Sequence, residues 1–412
     1  MDKAAFFREA RQDLPGPLAG VRVVEATTTW AGPMCACLLA DLGADVIKIE
    51  LPTGEVIRRM QPFLPNTNPP LSIAQAIVNR NKRSLSLDLR KPEGRGIFLR
   101  LAAQSDIVVE NFRPGTMDGW GTGYQAVRRV KADIIYVSIS GFRQFGPDHE
   151  RAGYDPLAEA ASGFLSVNGE PTGTPVKAAT GLADDLAGLH AALAAVSAIH
   201  HRHQTGEGQH IDVALVDSML FQSNWFLTMG ALGMPIQRWG NAAPFAVPAD
   251  VYACRDGHVY IAVLLDAHWQ ALARLMGRSE LAEDPAYALL ANRVQRRDEL
   301  GALVSEWCAS RTVAEVETLF LKAGLPIAPV RNYAQVARDP HVRERDMLQD
   351  TPQSDGSLAP ITGPAAKFSR TPTRVRWGAP SLGAHDDEIL QGLGLSSTEI
   401  KNLREQGVIA RG

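Results

Sequence analysis

The feature that most limits how this chain can fold is the regular exchange of short apolar runs and helical patterns across residues 21–140. Val21–Ala26 is a mostly apolar, β-branched run bounded by Gly20 and Thr27, as a buried strand requires. Pro33–Leu42 follows with helical spacing and a proline in its first turn, where a missing N–H is tolerated. Asp45–Glu50 reads as a second strand, and Ser84–Leu89 alternates polar and apolar residues with period two. Pro92–Ala103 is helical, and Asp106–Glu110 and Asp133–Ser140 are further strands. This pattern predicts an α/β fold, a Rossmann-like sheet with helices on its faces. The turn after the first strand, Thr27 to Pro33, lacks the glycines of G-x-G-x-x-G, so a dinucleotide site of that kind is not expected.

After Val216 the texture changes. Asp256-Gly257 is a hairpin signal between Ala249–Cys254 and His258–Leu264. Helical patterns follow at Ala267–Met276, Arg293–Ala309 and Val313–Ala323, which suggests a smaller α+β domain in which Trp269 belongs to the core. Asp339–Thr373, rich in Pro, Asp, Gly and Ser, reads as a linker, and Ser396–Gly407 as a last helix capped by Ser397 or Thr398. A chain of 412 residues is long enough for two domains. The expected layout is a large α/β domain over 1–205, a linker over 206–236, the small domain over 237–335, a linker over 336–375, and a C-terminal part over 376–412.

Composition narrows the functional classes. A formal net charge of −3 lacks the basic excess of a nucleic-acid binder. Cys35, Cys37, Cys254 and Cys308 are too few and too scattered for a disulfide framework, and read as free thiols. Met1–Pro15 has no signal-peptide order, and no apolar run suggests a membrane span, so a cytoplasmic protein is expected. His200, His201 and His203 close a helical pattern without convergent Cys or carboxylate ligands, so no metal site is expected.

The chemistry is concentrated in Gly181–Leu220, where Asp184 and Asp185 stand immediately before a long Ala/Leu-rich helical pattern. An Asp there either caps the helix or is held at the positive end of its dipole as a nucleophile or base. Asp184 is followed by Gly188 and, after the helix, by the turn Thr205-Gly206-Glu207-Gly208-Gln209. Further motifs are Trp30-Ala31-Gly32-Pro33, Ala44-Asp45-Val46-Ile47-Lys48-Ile49-Glu50, Asn81-Lys82-Arg83-Ser84, Glu110-Asn111-Phe112-Arg113-Pro114-Gly115 and Gly324-Leu325-Pro326. In this order they resemble the class III coenzyme A transferases, which include formyl-CoA:oxalate and carnitine CoA transferases and the α-methylacyl-CoA racemases.

The resemblance implies transfer of CoA from an acyl-CoA donor to a carboxylic acid acceptor, with the CoA thioester as substrate and no permanently bound cofactor. It implies Asp184 as nucleophile, passing through a mixed anhydride and an aspartyl-CoA thioester, with Asp185 as a cap or solvated neighbour. It places Trp30 and Ala31 at the thioester, Leu87, Asp88, Leu89 and Arg90 at the adenosine part of CoA, and Asn111, Phe112 and Arg113 at a second contact strip, with Arg90 and Arg113 reaching the nucleotide's charge. Tyr154 also falls at a contact position. Arg80, Lys82, Arg83 and Arg90 form a basic cluster suited to phosphate, although each alone would be a solvated surface charge. This chain has Trp30 where formyl-CoA enzymes have Gln, Leu51 where they have a basic residue, and Gly119 where they have Arg. The stretch Asn241–Ala246 replaces their glycine-rich loop. Racemising relatives carry His where this chain has Tyr154, and tyrosine, with an ordinary pKa of about 10, is a poor base at neutral pH. The alternatives are thus a 2-methylacyl-CoA racemase or an inactive acyl-CoA-binding homologue. The resemblance also implies a homodimer whose chains interlock.

Overall fold

The structure is a computed structural model describing residues 2–65 and 67–411. The chain forms two compact units, one of residues 1–164, 177–227 and 339–412, the other of residues 165–176 and 228–338.

The first unit is built on a six-stranded parallel sheet. Its strands are β1 (Arg22–Ala26), β2 (Asp45–Glu50), β3 (Lys82–Ser86), β4 (Ile107–Glu110), β5 (Ile135–Ser140) and β6 (Gln209–Ala214), in spatial order β3-β2-β1-β4-β5-β6. All five pairings are parallel. Four helices matter for the site: α1 (Ala31–Asp41), α2 (Pro92–Ala103), α3 (Asp155–Ala161) and α4 (Leu182–Thr205). The order reverses between β1 and β4, and at such a switch point the loops leaving the carboxyl ends diverge and open a crevice.

Alternation along the strands feeds two cores. Val23, Ile107, Val109, Ile135, Val137 and Ile139 face α1 and the alanine-rich side of α4. Val24, Val108 and Tyr136 face the other way, onto Ile97, Phe98 and Leu101 of α2 and onto Ile400, Leu403, Val408 and Ile409 near the C-terminus. Each such side chain, fully buried, stabilises the fold by roughly 1.5–3 kcal/mol before conformational entropy is counted. By length and composition α4 is apolar enough to cross a bilayer, which corrects the expectation that no segment is. Its alanines are instead packed on α1 and the sheet.

Several sequence expectations shift. The third strand is Lys82–Ser86 rather than Ser84–Leu89, because Lys82, Ser84 and Ser86 are buried polar residues that period-two reasoning turns outward. Gln209–Ala214, expected in a linker, is the edge strand β6 paired with β5. The linker expected at Asp339–Thr373 contains an antiparallel hairpin of β10 (Leu348–Pro352) and β11 (Leu358–Thr362). The cap of the last helix, Ser397–Glu405, is Ser396, whose hydroxyl and Glu399 form a reciprocal capping box.

The second unit carries an antiparallel sheet of β7 (Ala249–Cys254), β8 (Gly257–Ala262) and β9 (Ile327–Pro329). Trp269 is buried at its centre with Leu272, Val304 and Phe320. The helix expected over Arg293–Ala309 is two pieces, Leu290–Val294 and Arg297–Ala309. Buried Arg293 precedes the break and donates to the carbonyls of Val247, Tyr287 and Ala288.

Candidate active site

At the switch point the β1 and β4 loops are tied together. Asn111 accepts from the Thr28 N–H and donates to the Thr28 carbonyl, both at 2.8 Å. The loops border a cleft of about 840 Å³, lined among others by Trp30, Ala31, Phe112, Arg113, Tyr154 and Asp184. The structure therefore gathers residues from both Trp30-Ala31 and Asn111-Phe112-Arg113 around one cavity with the predicted nucleophile.

Asp184 reaches the cleft because α4 crosses α1 closely. One turn after it, Gly188 lies so near α1 that an added Cβ would stand 3.0 Å from the Ala31 carbonyl oxygen and from the Met34 side chain. The Asp184-x-x-x-Gly188 spacing is thus a packing requirement, since the glycine lets the first turn of α4 approach the Trp30–Ala31 turn. Behind this turn Gly153 passes Gly141 backbone to backbone, with only 2.3 Å from an added Cβ to the Gly141 Cα. That contact seats the segment leading to Tyr154 and Asp155.

Asp184 is the third residue of α4, and its carboxylate makes no cap bond. The capping role belongs to Asp155, the first residue of α3. Its Oδ1 accepts from the backbone N–H groups of Ala183 at 2.7 Å and Asp184 at 3.2 Å. Those are the first-turn donors an N-cap side chain ordinarily satisfies. Among the described residues no hydrogen bond reaches the Asp184 carboxylate. Burial, reinforced by the charges of Asp155 and Asp185, pushes its pKa up to about 7. Asp185 is neither cap nor solvated neighbour, because it accepts from the Trp30 indole N–H at 2.6 Å. A carboxylate so engaged is a poor nucleophile, which separates the two aspartates chemically.

The other expected contacts divide. Leu87 and Leu89 are buried in the core, so from Leu87–Arg90 only Arg90 has an exposed side chain, and Asp88 holds it at 2.7 and 2.8 Å. None of these four lines the cleft. The basic cluster is not a phosphate cradle. Arg80 pairs with Asp41, Arg83 with Asp45 and Glu388, and Lys82 is fully buried against Glu25. Arg113 is exposed, and no hydrogen bond engages its guanidinium among the described residues. Two basic residues that sequence reasoning missed, His149 and Arg151, line the same cleft. Arg151 lies 4.5 Å over the Phe142 ring and pairs with Asp148 at 3.3 Å. Asp155 was missed as well, because nothing local links it to a helix 29 residues away.

The sequence profile of CoA-transferase family III matches residues 18–386. The chain belongs to this family. A succinyl-CoA:mesaconate CoA-transferase from Haloarcula marismortui is 37% identical over 393 residues, covering 93% of this chain and 98% of the relative. A succinate–glutarate CoA-transferase from Agrobacterium fabrum is 35% identical over 389 residues, covering 92% and 97%. The crystal structure of a CaiB/BaiF family protein from Brucella suis superposes with a TM-score of 0.83 at 35% identity, covering 92% of this chain and all of that one. This member of family III has a cleft-lining aspartate at the start of a long helix.

Proposed function

We propose that the protein transfers coenzyme A between carboxylic acids through covalent intermediates on Asp184. The observation that carries this is the Asp184 carboxylate, unbonded in the cleft while Asp155 occupies the helix donors and Asp185 the Trp30 indole. A carboxylate stripped of partners is reactive once ionised. It attacks the thioester carbonyl of the acyl-CoA, and the C–S bond breaks to give a mixed anhydride and CoA thiolate. The thiolate then attacks the aspartyl carbonyl of the anhydride, forming an aspartyl-CoA thioester and releasing the donor acid. The acceptor carboxylate attacks that thioester, giving a second anhydride and thiolate. Attack of the thiolate on the acceptor's acyl carbon yields the new acyl-CoA and regenerates Asp184. The first turn of α1, with no side-chain cap at Trp30, offers backbone N–H donors to the oxyanions.

Coenzyme A is read as lying along Trp30–Ala31 and Asn111–Arg113, with Tyr154 at the cleft wall and the exposed Arg90, outside the cleft lining, toward the nucleotide. The acids are read as dicarboxylic. The relatives named above act on succinyl-CoA with mesaconate and on succinate with glutarate, and Arg113 and Arg151 give the cleft cations for a second carboxylate, with the His149 imidazole beside them. Racemisation is disfavoured because Tyr154, not histidine, precedes Asp155. We also read the protein as a cytoplasmic, interlocked homodimer with a small second domain. Leu189 and Leu193 on α4, Phe221 and Leu232 are all exposed, the kind of apolar surface that a second chain covers.

The test is a mass-spectrometric screen of succinyl-CoA against mono- and dicarboxylic acids, with hydroxylamine added during turnover. New acyl-CoA and a hydroxamate on the peptide carrying Asp184 are expected. Transfer that persists undiminished in Asp184→Asn would end the assignment.

A further inference from the structure

We infer that Glu55 is a positioning residue of the transfer site, holding Thr29 in a left-handed backbone conformation and thereby fixing the turn that presents Trp30 and Ala31 to the cleft. This rests on the reading of Asp184 and that turn as the transfer site. Thr29 has φ 60°, a region that a β-branched residue adopts only when its surroundings impose it. What imposes it is the Glu55 Oε2 atom, which accepts from the Thr29 N–H at 2.9 Å. The other oxygen, Oε1, sits 2.8 Å from the Lys48 ammonium, and both side chains are almost wholly buried.

Lys48 is the hub of a closed charge cluster. Its Nζ is 3.1 Å from Glu25 Oε1 and donates to the Thr27 carbonyl at 3.2 Å. Lys82 completes it, 2.7 Å from Glu25 Oε2 and donating to the Pro33 carbonyl at 2.9 Å. Two carboxylates balance two ammonium groups, and the cluster grips the chain at Thr27, Thr29 and Pro33, on both sides of Trp30–Ala31. The Trp30 indole then reaches Asp185, the neighbour of the nucleophile. Well-packed apolar residues commonly replace buried ion clusters without loss of stability, so such a cluster is better explained by the geometry it imposes.

The experiment compares Glu55→Ala and Glu55→Gln in wild-type and Thr29→Gly backgrounds. Glycine adopts positive φ without help, so the effect of removing Glu55 should shrink there. Glu55→Ala is expected to lower kcat by about 100-fold while KM for acyl-CoA stays within about 3-fold. Glu55→Gln, which keeps an acceptor for Thr29, should recover about 10-fold of that loss. Against Thr29→Gly, the Glu55→Ala loss should fall to about 10-fold or less. Hydrogen exchange of the Thr29 amide reads the turn independently of turnover and should accelerate in Glu55→Ala. If Glu55→Ala misfolds, the Glu55→Gln pair in the two backgrounds carries the comparison. An unchanged kcat, an equal loss in both backgrounds, or unchanged Thr29 exchange would overturn the inference. A wild-type protein that transfers no CoA would instead remove the functional reading, leaving hydrogen exchange to decide the role of Glu55.

Discussion

Replacing Asp184 with Asn should abolish transfer and, at pH 8, make the protein more stable. The sign follows from the direction of the pKa shift. The carboxyl rises from its usual 3.8 to about 7 in the folded protein, chiefly through burial and then through the charges of Asp155 and Asp185. Well below pH 3.8 the group is neutral in both folded and unfolded chains and contributes nothing. As pH climbs toward 7 the unfolded chain ionises freely while the folded one resists, so wild type loses stability across that interval. Above 7 the penalty is complete. A displacement of about three pH units corresponds to about 4 kcal/mol, and partial solvent access reduces this to about 2–4 kcal/mol. Asparagine has nearly the same shape and no charge, so Asp184→Asn recovers that amount.

For a unit of this size about 1 kcal/mol moves Tm by about 2 °C, so the variant should melt about 4–8 °C above wild type at pH 8. At pH 5 the gap should fall to roughly a third, and near pH 4 to about a tenth. Thermal melting of both proteins from pH 4 to 8 measures this directly. In wild type, kcat/KM should rise with pH and level off above about 7, as the attacking carboxylate ionises. An equal Tm at pH 8, or a gap that ignores pH, would mean that Asp184 is an ordinary solvated carboxylate and that its burial has no chemical role.

Other substitutions probe the supports of the site. Gly188→Ala forces a methyl to 3.0 Å from the Ala31 carbonyl; a loss of about 1–3 kcal/mol in denaturant melts is expected, with a lower kcat as Asp184 shifts from the turn. Asp185→Asn keeps an oxygen for the Trp30 indole and should retain most transfer activity, in contrast to Asp184→Asn assayed beside it. Arg113→Ala should weaken CoA binding in calorimetry by about 1.5–3 kcal/mol if the guanidinium bonds a phosphate directly, and Arg90→Ala by less, since Asp88 already engages two of its nitrogens.

The parallel sheet was legible because strands buried on both faces are written as apolar runs, as at Ile135–Ser140. Recognition failed where polar residues are interior. Lys82 and Ser84 look like solvent positions, yet Lys82 is neutralised by Glu25, whose partnership comes from strand adjacency and not from sequence distance. Strand β6 was hidden because Gln209, His210 and Asp212 mark an edge strand as a loop. The cleft position of Asp184 was legible from the aspartate and its glycine, but its neighbours were not. Glu55 and Arg151 come from distant loops and Asp155 from the start of another helix, and what places them is tertiary packing.

The same topology elsewhere presents a glycine-rich turn and a free helix N-terminus to a phosphate. Here that solution is blocked at α4, because Asp155 takes the N–H groups of Ala183 and Asp184 and sets a negative charge where an anion would sit. This has two consequences. The N-terminus of α4 cannot stabilise the ionised Asp184 through its own donors, which leaves the carboxylate weakly solvated and its pKa high. The uncapped donors beside Asp184 belong to α1, whose first turn is held by the Glu25–Lys48–Glu55–Lys82 cluster together with the close packing of Gly32 on Thr27 and Asn111. In the proposed mechanism, one helix start thus carries the nucleophile and the other the groups that meet the charge it generates. A covalent exchange needs that division, because a carboxylate satisfied by its own helix would be stable and unreactive.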